Sequence, residues 1–138
     1  MKLLSALKYL LVLFLFTSMS CEEIIIDNKT FKVGQESNFR IHQLYTSSDE
    51  LYTLKINEIT DSRCPQGVEC VWAGEVTIKG EWTASMVKTP FEVHSVVKTN
   101  EIQPDGFTIQ IVDAKPYPVY GTESKPEDLV VTMLIEKK

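Results

Sequence analysis

Apolar residues recur at every second position through most of the chain from about residue 31, and that period decides what the chain can become. In an extended strand, successive side chains point to opposite faces, so period-two alternation gives one greasy face and one wet face. Phe39, Ile41 and Tyr45 fall on one parity, with Arg40 and His42 on the other. Tyr52, Leu54 and Ile56 alternate with Thr53, Lys55 and Asn57. Trp72, Val76, Ile78 and Trp82 share a parity, with Glu75, Thr77, Lys79 and Glu81 opposite. Phe91, Val93 and Val97 alternate with Glu92, His94 and Lys98, and Phe107, Ile109 and Ile111 with Thr108 and Gln110. Leu129, Val131, Met133 and Ile135 close the series. No stretch of ten or more residues carries a helical stripe. This reading predicts an all-β domain: a single antiparallel β-sandwich of six to seven strands, with an immunoglobulin-like layout favoured over a small barrel. Both tryptophans, Trp72 and Trp82, share parity with Val76 and Ile78 and are assigned to its core in preference to a ligand platform. Gly74 and Gly80 lie on the same apolar parity, where a missing side chain marks a bulge or the close approach of another backbone.

Turn chemistry separates the runs. Ser47-Ser48-Asp49 and Pro104-Asp105-Gly106 are turn sequences, and Pro116-Tyr117-Pro118 with Gly121 opens the last long connection. Ahead of the alternating region stands a different kind of segment. Lys2 and Lys8 precede the apolar run from Leu10 to Phe16, and Thr17-Ser18-Met19-Ser20 leads to Cys21. The layout is that of a secretory signal, too short and wrongly flanked for a membrane-spanning helix. The division that follows is a signal over residues 1–20, a tether over 21–30 and the sandwich over 31–138. Without the signal, 118 residues remain, enough to bury roughly two-thirds of the unfolded surface in one core. Those residues carry twelve Lys and Arg against nineteen Asp and Glu, a net charge of −7. Nucleic acid and anionic headgroups select clustered Lys and Arg, so the balance argues against both as direct partners.

One segment breaks the alternation. Asp61-Ser62-Arg63-Cys64-Pro65-Gln66-Gly67-Val68-Glu69-Cys70-Val71-Trp72-Ala73-Gly74 places two cysteines around a Pro and a Gly, so the chain can fold back and bring the sulfurs together. In an exported chain the default is a Cys64–Cys70 disulfide, stabilising by about 2 kcal/mol through so short a loop. Redox exchange fits poorly with five residues between the cysteines. A zinc site would need His42 and His94 to converge on both, and no metal or other cofactor is expected. A third reading makes the loop a rigid recognition surface that displays Arg63, Gln66 and Glu69, since a loop already ordered lowers the entropic cost of binding. A purely local role is the alternative: Asp61 or Ser62 caps backbone N–H groups while Arg63 pairs with Asp61 or Glu69.

Two resemblances sharpen this reading. Residues 1–21 resemble a bacterial lipoprotein signal of the looser Bacteroidota kind, which implies that Cys21 is lipidated and becomes the mature N-terminus. Glu22 and Glu23 resemble the acidic export tag of surface-displayed lipoproteins. The stretch from Asp61 to Gly74, with the later Pro116-Tyr117-Pro118, is similar to uncharacterised small lipoproteins that carry a DSRCP-x4-C-x-W-A-G signature. That resemblance implies export and a disulfide, and no known activity. With Cys64 and Cys70 paired, Cys21 is the odd thiol, and lipidation removes it.

The expectation is a monomeric lipoprotein held in the outer membrane by lipid, on its periplasmic or surface face. Its non-enzymatic sandwich binds or scaffolds an envelope protein or glycan. The runner-up is a small protease inhibitor presenting Arg63 on the braced loop. An enzyme ranks third, with no catalytic residue assigned: His42 and His94 sit on polar faces and no Gly-x-Ser-x-Gly turn exists. On this reading Arg63 and Glu69 are worth about 0–1 kcal/mol to stability, and truncating Trp72 costs about 3–5 kcal/mol.

Overall fold

The parity of the sequence becomes the interior of two facing sheets. The computed structural model describes residues 29–97, 100–102 and 105–138. The segment read as a signal, Cys21, Glu22, Glu23 and Pro104 lie outside the described residues. Nine strands run in order: β1 (Thr30–Phe31), β2 (Glu36–Phe39), β3 (Leu44–Ser47), β4 (Tyr52–Asp61), β5 (Val76–Ala84), β6 (Val87–His94), β7 (Asn100–Ile102), β8 (Phe107–Lys115) and β9 (Val130–Lys137). One sheet has the order β1-β3-β4-β5-β6 and the other β2-β9-β8-β7, and neither closes into a barrel. The expected sandwich is therefore present. Within it the chain forms two meanders, β3 to β6 and β7 to β9, and all pairings between these strands are antiparallel except that of β1 along β3.

Six to seven strands were expected and nine are found among the described residues, because short strands escape a periodicity search. The Phe39–Tyr45 run is two strands in different sheets. Its parity is continuous, but a turn at His42, with φ of 61°, carries the chain across the sandwich. The Tyr45 hydroxyl holds that crossing by accepting the Arg40 N–H at 2.7 Å and donating to the Gln43 side chain at 2.9 Å. Val97, read as part of the Phe91–Val93 strand, lies exposed beyond the end of β6.

Leu54, Ile56, Val76, Ile78, Trp82, Phe91 and Val93 from one sheet meet Phe39, Ile109, Ile111, Val131, Met133 and Ile135 from the other in one continuous core. Two bulges, between Ile56 and Glu58 and between Ile111 and Asp113, shift the parity by one. This brings Ile59 and Ala114 inward after an extra residue. Gly80 in β5 shows the close approach that its position implied: a Cβ there would lie 2.4 Å from the Lys55 carbonyl oxygen and 2.7 Å from the Phe91 ring. Trp82 fills the far end of the core, stacked on Tyr52 at 5.2 Å between ring centroids and packed on Phe107 at 4.7 Å. Its indole N–H is satisfied by Asp105 at 3.1 Å.

Candidate recognition loop

Residues 62–75 leave the first sheet at the end of β4 and return at the start of β5, at the end of the sandwich opposite Trp82. For two steps beyond the strands the ladder continues. The Ser62 N–H donates to the Glu75 carbonyl at 2.8 Å and the Cys64 N–H to the Ala73 carbonyl at 2.9 Å. The Ser62 hydroxyl adds a contact in each direction, accepting the Glu75 N–H at 3.1 Å and donating to the Glu75 carbonyl at 3.0 Å. Gly74 makes this closure possible. Its φ is +68°, and a Cβ there would stand 1.8 Å from the Ser62 carbonyl oxygen. The close approach that the sequence suggested at Gly74 is real, but it lies in the loop rather than on a strand face. Beyond it Cys64 and Cys70 are joined by a disulfide, with 5.9 Å between their Cα atoms.

Arg63 faces inward. Its Nε and one terminal nitrogen fork onto Asp61 at 2.8 and 2.6 Å, and Asp61 also accepts the Arg63 backbone N–H at 3.1 Å. The guanidinium reaches across to the second sheet, donating to the carbonyls of Ala114 at 2.8 Å and Pro116 at 3.1 Å. Its carbon lies 4.6 Å from the centre of the Tyr117 ring. The side chains of Arg63 and Asp61 are 13% and 7% exposed. The hydrogen bond that the guanidinium donates to Asp61 raises the Arg63 pKa above its ordinary value against the opposing effect of burial. A planar fork that satisfies a carboxylate and two carbonyls at once suits Arg and not Lys. Arg63 thus cross-links the ends of β4 and β8. Its expected display on the surface does not hold, and the pairing with Asp61 foreseen as the local role does.

The loop also rests on the chain that follows β8. Gln66 forms a parallel bridge to Val119, its N–H donating to the Pro118 carbonyl at 2.9 Å and its carbonyl accepting the Tyr120 N–H at 3.1 Å. The Asp61–Gly74 segment and Pro116-Tyr117-Pro118 are therefore in contact. Nothing in the period of either segment signals this docking.

What the brace displays differs from what parity assigned. Trp72 is 76% exposed and Val71 96%, so the assignment of Trp72 to the core is corrected. Parity counts faces only along an unbroken strand, and the strand begins at Val76, after the loop has reset the direction of every side chain. Gln66 and Glu69 are exposed, as are Val68, Val119 and Tyr120. Trp72 forms one wall of a shallow groove completed by Ser62, Gly74, Glu75 and Val96. Beside it His94 lies with Nδ1 3.4 Å from Glu75 and Nε2 3.7 Å from Glu92. His42 is elsewhere, in the turn after β2, so the two histidines do not converge on the cysteines. Among the described residues no group of three or more His, Cys, Asp or Glu is placed to hold a metal, and no helix is long and apolar enough to cross a membrane.

The class that fold and loop define is an open two-sheet β-sandwich with a disulfide-braced apolar tip. Beyond that class, the chain matches no family model, no curated protein and no solved structure.

Proposed function

We propose that the chain is a lipid-anchored lipoprotein of the bacterial cell envelope whose sandwich is a non-enzymatic binding or scaffolding module, with the 62–75 loop as its recognition surface. The observation that supports this most is the combination of brace and tip. Ladder, disulfide, guanidinium clamp and the Gln66–Val119 bridge all fix the loop, and it spends that order on holding Val71 and Trp72 in water. Exposed apolar residues clustered on an ordered element mark contact sites, and pre-ordering removes part of the cost of binding. Contact falls to Val71, Trp72, Gln66 and Glu69, while Arg63 positions them. The inhibitor reading has less support, because offering Arg63 to a protease pocket would strip it from Asp61, Ala114 and Pro116 together.

The membrane anchor rests on the signal-like segment and Cys21. Metabolic labelling with a fatty-acid analogue tests it. The wild type takes up label and fractionates with the envelope, and Cys21→Ala does neither. Equal labelling of the two proteins would remove the anchor from the account.

A further inference from the structure

We infer that Pro90 closes the long free edge of the first sheet against strand addition, and that the strand it excludes is the same edge of a second copy of this chain. Each sheet ends in two edge strands, β1 and β6 in one and β2 and β7 in the other. Three of these are short, at two, four and three residues, whereas β6 runs for eight. An open edge presents a row of unpaired N–H and C=O groups, and a long one is a template for another chain.

β5 and β6 meet in a two-residue turn, Ser85-Met86, with Ala84 opposite Val87. Backbone groups alternate in direction along an antiparallel strand. Val87, Thr89, Phe91 and Val93 therefore turn theirs to β5, and the Ser95 N–H continues that series by donating to the Val76 carbonyl at 2.9 Å. Lys88, Pro90, Glu92 and His94 turn theirs outward. At His94 the outward groups are already met. Its N–H donates to the Asn100 side-chain oxygen at 3.4 Å, and its carbonyl accepts the Asn100 side-chain amide at 3.5 Å. Lys88, Pro90 and Glu92 remain as the open rungs, with the residue that lacks an N–H in the middle. Proline in a sheet is tolerated at such outward positions. Here it removes the central donor and sets a ring where an incoming carbonyl would lie.

The charges on either side of Pro90 select the occupant. Two copies of β6 laid antiparallel about this residue set Lys88 of each opposite Glu92 of the other, both on the exposed outer face. Opposite charges directly across a strand pair attract, and like charges repel. On the inner face Thr89 of each copy meets Phe91 of the other. The arrangement is two-fold, so every contact occurs twice, and it joins two five-stranded sheets into one. Within its own copy Lys88 reaches Glu81 at 3.7 Å with both side chains exposed, a contact weak enough to exchange.

Sedimentation equilibrium of the full chain in density-matched detergent tests this, at about 0.15 M salt to screen repulsion between two acidic copies. Pro90→Thr pairs where wild type does not. Each copy regains one donor in the shared ladder, so the dissociation constant falls by at least about tenfold. Adding Lys88→Glu to Pro90→Thr sets like charges opposite each other and returns the protein toward monomer. Adding Glu92→Lys to both restores the pair. Pro90→Ala takes the place of Pro90→Thr should threonine disturb the far-UV spectrum or the unfolding midpoint. A folded Pro90 variant that pairs no better than wild type overturns the inference. Association that ignores the charge exchange overturns it as well, and places the contact on another surface.

Discussion

Trp82 and Trp72 share a parity, stand ten residues apart and end in opposite surroundings. Trp82 is wholly buried, its ring packed on Tyr52 and Phe107 and its N–H bonded to Asp105. Trp72 stands in solvent at the tip of a loop held by polar contacts and a disulfide. The sandwich body is stabilised by removing apolar surface from water. The loop end is stabilised by satisfying a guanidinium, a carboxylate and several carbonyls at close quarters. The same residue type therefore reports packing in one region and display in the other, and substitutions separate the two kinds of stability.

The largest loss is expected in the body. Trp82→Ala removes the ring at the centre of the aromatic cluster and should cost about 3–5 kcal/mol in denaturant unfolding. Next is the clamp. Arg63→Ala leaves Asp61, itself 7% exposed, without its partner, and should cost about 3 kcal/mol rather than the near-zero value of a surface ion pair. Arg63→Lys should recover only part of this, because an ammonium cannot serve Asp61, Ala114 and Pro116 together. A cost below 1 kcal/mol for Arg63→Ala would return Arg63 to the surface and revive its use as a contact residue. Gly74→Ala should follow at about 1–3 kcal/mol, since the added Cβ meets the Ser62 carbonyl in a backbone conformation that L side chains rarely adopt. Thermal unfolding checks it, and an unchanged midpoint would show that the loop is looser than its hydrogen bonds imply.

A smaller effect is expected with pH. The Ser47 hydroxyl and then the Leu51 N–H hold the exposed Asp49 carboxylate below its ordinary value. A carboxylate with a depressed folded-state pKa stabilises at neutral pH and loses that contribution as pH falls through the folded-state value. Asp49→Asn should therefore slightly flatten the acid limb of a stability–pH curve and leave the alkaline limb unchanged. An altered alkaline limb would locate the effect elsewhere.

How much of this was legible in the sequence follows the same division. The faces of β4, β5, β8 and β9 were readable because one side of each strand is dry, which forces Leu54, Ile78, Ile109 and Met133 onto one parity. The split of the Phe39–Tyr45 run was not, since both halves bury their aromatic rings and only the turn at His42 separates them. The Cys64–Cys70 pairing was legible from spacing. The orientation of Arg63 was not, because its acceptors Ala114 and Pro116 lie some fifty residues away and are backbone carbonyls, which any sequence supplies. The bridge between Gln66 and Val119 is likewise a main-chain contact, invisible to residue type. Trp72 was misplaced because hydrophobicity identifies a residue that gains from leaving water, not the surface that will cover it.

Unfolding of Trp72→Ala in denaturant tests that last point most directly. Large-to-small changes at an exposed position away from packing fall within about 0.5 kcal/mol of wild type. That result is expected for the Trp72→Ala protein, with its Cys64–Cys70 disulfide intact. A loss of about 3–5 kcal/mol, the cost of truncating a core aromatic, would place Trp72 beside Trp82 in the core and contradict the account.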